Sequence, residues 1–232
     1  MSLAVRLMAV RDDLARAARE AGRDPGTVSL IAVSKYHPAE AVCEAYDAGV
    51  RDFGENLPQE LQQKAQQVAQ TGRTPRWHFI GRLQRNKVKT VLEHAHLVHT
   101  VDRWELAQAL TRRVGEGEPR GVLVQVNIGE EPQKGGVAPG EALAFARRVA
   151  VLPGLSLRGL MTVPPAGVDA RPHFEALAAL SRALRATPEG AAATELSMGM
   201  SHDFREAVHC GATMVRVGTA IFGTRSRPEE PS

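Results

Sequence analysis

The chain has 232 residues, 43% hydrophobic and 24% charged, enough apolar material for one large barrel-sized domain or two small ones. A formal net charge of only +3 gives no reason to expect nucleic acid as a partner, and no apolar run approaches the ~18 residues of a membrane span. Cys43 and Cys210 lie far apart without Cys-x-x-Cys spacing and read as buried, reduced thiols. With Arg6, Arg11, Asp12 and Asp13 interrupting any apolar leader, the expected location is cytoplasmic.

In chain order, Leu3, Leu7, Val10 and Leu14 recur at helical spacing, predicting a helix over Leu3–Glu20 that Gly22 ends. Strand-like runs follow at Ser29–Lys35, Asp52–Gly54, Arg76–Ile80, Leu97–Val101, Val122–Ile128, Leu157–Val163, Thr194–Met198 and Met214–Val217. Between them lie helical segments at Ala39–Ala48, Leu57–Gln70, Gln84–Leu92, Arg103–Val114, Pro139–Val151, Arg171–Arg185 and Asp203–Cys210, with a last short helix after Gly218. Strict alternation demands parallel strands joined by right-handed crossovers. Eight such units predict an α/β fold, a single (β/α)8 TIM barrel with an extra N-terminal helix; an open doubly wound sheet is the alternative. Residues 1–225 read as one barrel domain and residues 226–232 as a disordered tail.

Such barrels work at the C-terminal ends of their strands. There the chain places Lys35, Gly54-Glu55-Asn56, His78, Gly81, Asn127, Met161, Ser197–Ser201 and Arg216–Thr219. Lys35 closes the first apolar run on the side of Ile31 and Val33; if that side lines the barrel, its amine is partly desolvated and suited to a carbonyl. The loops after strands seven and eight carry Ser201 and Gly218-Thr219, which suit a phosphate. Turn chemistry, with Ser201 as an N-cap, is the plainer alternative. Arg216, flanked by Val215 and Val217, points into the barrel mouth if those valines face the helices; an ion pair with Glu55 or Asp203 is the alternative. An amine and an anion cradle at one mouth suit an aldehyde that also carries a phosphate, and pyridoxal 5'-phosphate (PLP) is the obvious candidate.

Other features are weaker. His94, His96 and His99 straddle a helix end and a strand and cannot share one face, so no metal is expected. Arg82, Arg85, Lys87 and Lys89 read as a solvated face. No Gly-x-Ser-x-Gly element, Walker loop or dinucleotide fingerprint is present.

Several stretches match a known family: Ala32–Lys35, Gly54–Asn56, Trp77–Lys87, Val101-Asp102, Leu196–Asp203 and Arg216–Gly223. On these the chain resembles the PLP-binding proteins of the YggS/PROSC type, the pyridoxal phosphate homeostasis proteins, over nearly its whole length. The resemblance implies a barrel like the N-terminal domain of alanine racemase, with Lys35 as the Schiff-base lysine. It also implies that Ser201, Gly218 and Thr219 hold the phosphate with Met200 beside them, that Arg216 meets the pyridine nitrogen, and that Asn56 lies near the ring. Tyr36-His37 and Leu57-Pro58 depart from the Thr-Lys and Tyr-Val pairs expected of the family, which alters the pocket rim without removing a proposed contact.

The resemblance implies a cofactor carrier or buffer in vitamin B6 and amino-acid homeostasis, with no robust reaction of its own and with PLP-dependent apoenzymes as acceptors. An arginine at the ring nitrogen agrees, because a donor-only group disfavours ring protonation and weakens the electron sink. The chain is also too short for the second domain that supplies alanine racemase with a tyrosine base, and its own tyrosines are only Tyr36 and Tyr46. A PLP-dependent amino-acid racemase and a Schiff-base aldolase of a sugar phosphate remain open as rivals. Lys134, in the loop after strand five, is a candidate second amine for transfer; an ordinary loop lysine is the plainer reading.

Overall fold

A computed structural model describes residues 1–115 and 117–223. Its strands are β1 (Ser29–Val33), β2 (Asp52–Glu55), β3 (Arg76–Phe79), β4 (Ala95–Val101), β5 (Arg120–Gln125), β6 (Leu155–Met161), β7 (Glu195–Ser197) and β8 (Met214–Val217). All neighbours pair in parallel and the sheet closes, because Ser29–Ala32 of β1 register with Met214–Val217 of β8. The expected eight-stranded barrel is therefore observed, and the open sheet is excluded. The expected tail, residues 226–232, lies outside the described residues.

Helices alternate with the strands: α1 (Leu3–Glu20), α2 (Ala39–Asp47), α3 (Pro58–Gln70), α4 (Val88–His94), α5 (Trp104–Val114), α6 (Pro139–Ala150), α7 (Arg171–Arg185), α8 (Phe204–His209) and α9 (Thr219–Phe222). The leading helix buries the stripe its spacing predicted, Leu3, Leu7, Val10 and Leu14, and packs mainly against α8 and α9. Arg6 donates from Nε to the Ile221 carbonyl at 2.7 Å, tying the start of the chain to its last described helix.

Strand alternation divides the core in two. Ala32, Phe53, Phe79, Val98, Val122, Val124, Val215 and Val217 face the helical layer. Ile31, Leu97, Leu123, Met161 and Met214 form a smaller cluster inside the barrel. Burying both faces is why these strands read as near-continuous apolar runs.

Several expected boundaries shift. The first strand ends at Val33, not Lys35, because Tyr36 has a φ of 65° and His37 N–H returns to the Ser34 carbonyl. Residues 126–128 leave the fifth strand: Asn127 pins the following loop instead, donating from its amide to the Glu131 carbonyl at 2.9 Å. Cys43 and Cys210, expected to be buried, are half-buried and free.

Candidate functional site

A cavity of about 290 Å³ opens at the C-terminal mouth of the barrel, lined by polar groups from β1, β2, β7 and β8 and their loops. All seven residues singled out from the sequence border it: Lys35, Asn56, Met200, Ser201, Arg216, Gly218 and Thr219. Val33, Ile80, Met161 and Val163 add apolar walls, and His202 stands at the edge. Lys35 is half-buried and Thr219 is exposed, whereas Arg216 is only 4% exposed. The cavity is thus deepest at the guanidinium and open at Thr219.

Arg216 sits where the alternation placed it. Val215 and Val217 pack toward the helices, and the guanidinium lies inside the barrel. Its Nη1 donates to Ser197 Oγ at 2.7 Å and its Nη2 to the Thr162 carbonyl at 2.9 Å. Both partners are neutral, so the alternative ion pair with Glu55 or Asp203 is not what holds it. Burial lowers its pKa to about 10, which leaves the side chain charged at neutral pH.

The cradle opposite is built by backbone. Arg216 N–H donates to the Gly199 carbonyl at 2.9 Å, drawing the loop after β7 against β8 and bringing Met200-Ser201 beside Gly218-Thr219. Gly199 has a φ of 92°, and a Cβ there would lie 2.6 Å from Ala207 Cβ, so α8 packs directly on the glycine. Ser201 is not the cap of that helix: Asp203 occupies the N-cap position, and its carboxylate accepts from Met200 N–H at 2.6 Å. The Ser201 hydroxyl is therefore not spent on capping.

The Lys35 and Asn56 side of the cavity rests on a buried cluster that the sequence reading missed. Lys64, from α3, donates to the Ser34 carbonyl at 2.7 Å, to Glu55 at 2.8 Å and to Glu60 at 3.2 Å. Ser34 Oγ also donates to Glu55 at 2.7 Å, and Glu60 accepts the Tyr36 N–H at 3.1 Å. These bonds fix the residues on either side of Lys35. One ammonium serves two carboxyls, and Glu55 is the more buried. Burial, outweighing the attraction of Lys64, raises its pKa to about 7. The available signal was Lys64 itself, a lysine inside the buried stripe Leu61, Ala65, Val68 of α3.

Asn56 is held by close backbone packing. A Cβ on Gly81 would lie 1.9 Å from the Asn56 carbonyl oxygen, so only glycine fits there. The Asn56 side-chain oxygen is buried at the cavity without a hydrogen-bond partner among the described residues. That is the kind of polar atom a bound ligand satisfies.

Three expected positions fall elsewhere. His78 does not reach the mouth: its side chain lies inside the barrel, contacts Asp52 at 2.9 Å and lines a separate cavity at the N-terminal end. Asn127 does not border the cavity, and Lys134 is tied to Glu131 at 2.5 Å and to the Pro164 carbonyl at 3.0 Å. Among the described residues no histidine, cysteine or carboxylate group forms a metal cluster, and no helix is long and apolar enough to cross a membrane.

The family described as the alanine racemase N-terminal domain matches residues 5–226. A curated relative, the pyridoxal phosphate homeostasis protein of Pseudomonas aeruginosa, is 44% identical over 225 residues, covering 97% of this chain and 96% of the relative. Among solved structures, PipY from Synechococcus elongatus, determined with PLP bound, superposes with a TM-score of 0.84 at 38% identity, covering 96% of this chain and 100% of its own. Alanine racemase from Corynebacterium glutamicum shares the fold alone: TM-score 0.65 at 17% identity, with 97% of this chain covered and 63% of the racemase. On the extent and identity of these matches, the chain belongs to the pyridoxal phosphate homeostasis protein family.

Proposed function

We propose that this protein holds PLP at the mouth of its barrel and serves as a carrier of the cofactor, handing it to acceptor apoenzymes or free amines in the cytoplasm. The observation that carries the reading is the single cavity bordered by Lys35, Asn56, Met200, Ser201, Arg216, Gly218 and Thr219. Its size is at the low end of the ~300–1,000 Å³ common for small-molecule sites. The residues fit the group. Ser201 and Thr219 offer hydroxyls, and the first N–H groups after Gly218 lack acceptors within their own helix, which suits a phosphate. Lys35 offers the amine, Asn56 an unsatisfied amide oxygen, and Arg216 a fixed cation on the deep side.

PLP, when bound, supplies an aldehyde that condenses reversibly with amines and a pyridine ring that withdraws electrons best when protonated. Arg216 has no acceptor and remains charged, so it gives the ring nitrogen no proton-sharing partner of the carboxylate kind. That arrangement favours holding over carbanion chemistry. The exposed hydroxyl end leaves a route by which acceptors reach the site. Neither Tyr36 nor Tyr46 borders the cavity, and Tyr46 instead lies under the Arg51 guanidinium at 4.2 Å.

The test is to load the protein with PLP, then present an apoenzyme and, separately, alanine or serine in D₂O. The expected outcome is cofactor transfer, with no α-hydrogen exchange above that of free PLP. Exchange well above that background would make the protein a racemase.

A further inference from the structure

Below the cavity a continuous polar chain threads the barrel interior, among Ile31, Leu97, Leu123 and Met161. Arg216 Nη1 meets Ser197 Oγ at 2.7 Å, and Ser197 Oγ lies 2.9 Å from His99 Nδ1. His99 Nε2 lies 2.9 Å from His78 Nδ1, and His78 Nε2 lies 2.9 Å from Asp52 Oδ1. Five strands contribute one residue each, and Ser197 and His99 are fully buried. Asp52 and His78 reach a second cavity of about 320 Å³ at the opposite end of the barrel. Neither histidine has a part in holding PLP as described above.

The direction of each hydrogen bond follows by elimination. A guanidinium only donates, so Ser197 Oγ accepts. The serine hydroxyl has one proton, and its other hydrogen-bond partner among the described residues is His99 Nδ1, so it donates there and that nitrogen is bare. Complete burial, with the nearby His78 and Arg216 adding to it, holds His99 well below the ordinary imidazole range. Its ring is therefore neutral with the proton on Nε2, which donates to His78 Nδ1. His78 then carries a proton on Nε2, facing Asp52. Burial pushes the Asp52 carboxyl up, but hydrogen bonds from His78 and Arg76 outweigh it and bring the pKa down to about 2, so Asp52 only accepts. Running the chain the other way needs protons on both nitrogens of His78. It also leaves the Ser197 hydroxyl proton with no acceptor among the described residues, which burial makes costly.

We propose that Ser197, His99, His78 and Asp52 are positioning residues for Arg216. Every donor points from the guanidinium toward Asp52, so the chain fixes the orientation of Arg216 and anchors its charge at the far end of the barrel. Its remaining donors are held toward the cavity, where the ring nitrogen of PLP would lie. This rests on the cofactor reading of the cavity, and the experiment separates the two.

In the protein without PLP, two-bond ¹H–¹⁵N correlation spectra of ¹⁵N-histidine report ring tautomers directly. His99 and His78 are both expected as neutral Nε2–H rings, and Ser197→Ala should shift the His99 signals. In the PLP-loaded protein, Ser197→Ala should move the visible absorption maximum and its pH profile, with unchanged circular dichroism. Its PLP Kd should rise roughly tenfold, the size of one charge-assisted hydrogen bond. Ser197→Thr, which keeps the hydroxyl, should restore the parent spectrum. If Ser197→Ala does not fold, Asp52→Asn at the far end should move the same band. An Nδ1–H tautomer at His99, or parental spectra in a folded Ser197→Ala or Asp52→Asn protein, overturns the proposal. A parent that takes up no PLP overturns the cofactor reading instead, and the apo-protein tautomers still decide the chain.

Discussion

Replacing Glu55 by glutamine isolates the cost of a carboxyl buried beneath the Lys35 turn. Glutamine keeps an acceptor for Ser34 and Lys64 but cannot ionise, and Glu60 remains 3.2 Å from Lys64 as its charged partner. In the unfolded chain Glu55 titrates near 4.5; in the folded protein burial holds its pKa at about 7. Between those values the folded state binds the extra proton, so raising the pH through this window destabilises the parent. At ~1.36 kcal/mol per pH unit, the cumulative loss is about 3 kcal/mol, complete above pH 7 and absent below about pH 4.5. Glu55→Gln escapes this loss. Urea denaturation of both proteins from pH 4 to pH 8 should show the stability difference, variant minus parent, growing by about 3 kcal/mol across the range. A flat difference, or one that grows in the parent's favour, would show that attraction to Lys64 outweighs burial and refute the reasoning.

Two further outcomes are expected. Gly81→Ala forces a methyl into the Asn56 carbonyl, so thermal unfolding should report a loss of about 1–3 kcal/mol or more, with weaker PLP binding through the displaced Asn56; a parental melting temperature would show that the loop yields freely. Ser201→Ala and Thr219→Val each remove one donor from the proposed phosphate end, and each should weaken PLP about tenfold in a fluorescence titration. Pyridoxal, which lacks the phosphate, should be unaffected by either change, and an equal loss for both ligands would place the phosphate elsewhere.

Much of this protein is legible from its sequence because the barrel repeats one rule. Near-continuous apolar runs alternating with amphipathic segments dictate parallel strands, and closure follows once eight units are present. Counting alternate side chains from Val215 turns Arg216 into the barrel, as the structure has it, whereas Lys35 lies past the end of β1 and borders the cavity from the turn that follows the strand. Alternation fails where an element ends. The Tyr36 turn, the Asn127 loop and the short strand β7 follow from side-chain hydrogen bonds and positive φ values that no periodicity encodes. The Ser34–Glu55–Lys64–Glu60 cluster escaped for a related reason: its members come from β2, α3 and the residue after β1, and they meet only once β1 and β2 pair and α3 packs over them. The same holds for His78, whose position late in a strand suggested the mouth, whereas its ring joins Asp52 and His99 inside the barrel.

The central claim is that Lys35 holds the aldehyde of PLP while the loops after β7 and β8 hold its phosphate. Borohydride reduction of the PLP-loaded protein, followed by peptide mass mapping, tests it most directly. One phosphopyridoxyl adduct is expected on the peptide containing Lys35, abolished in Lys35→Ala. The same adduct in Lys35→Ala, or a modified lysine elsewhere in the parent, would contradict it.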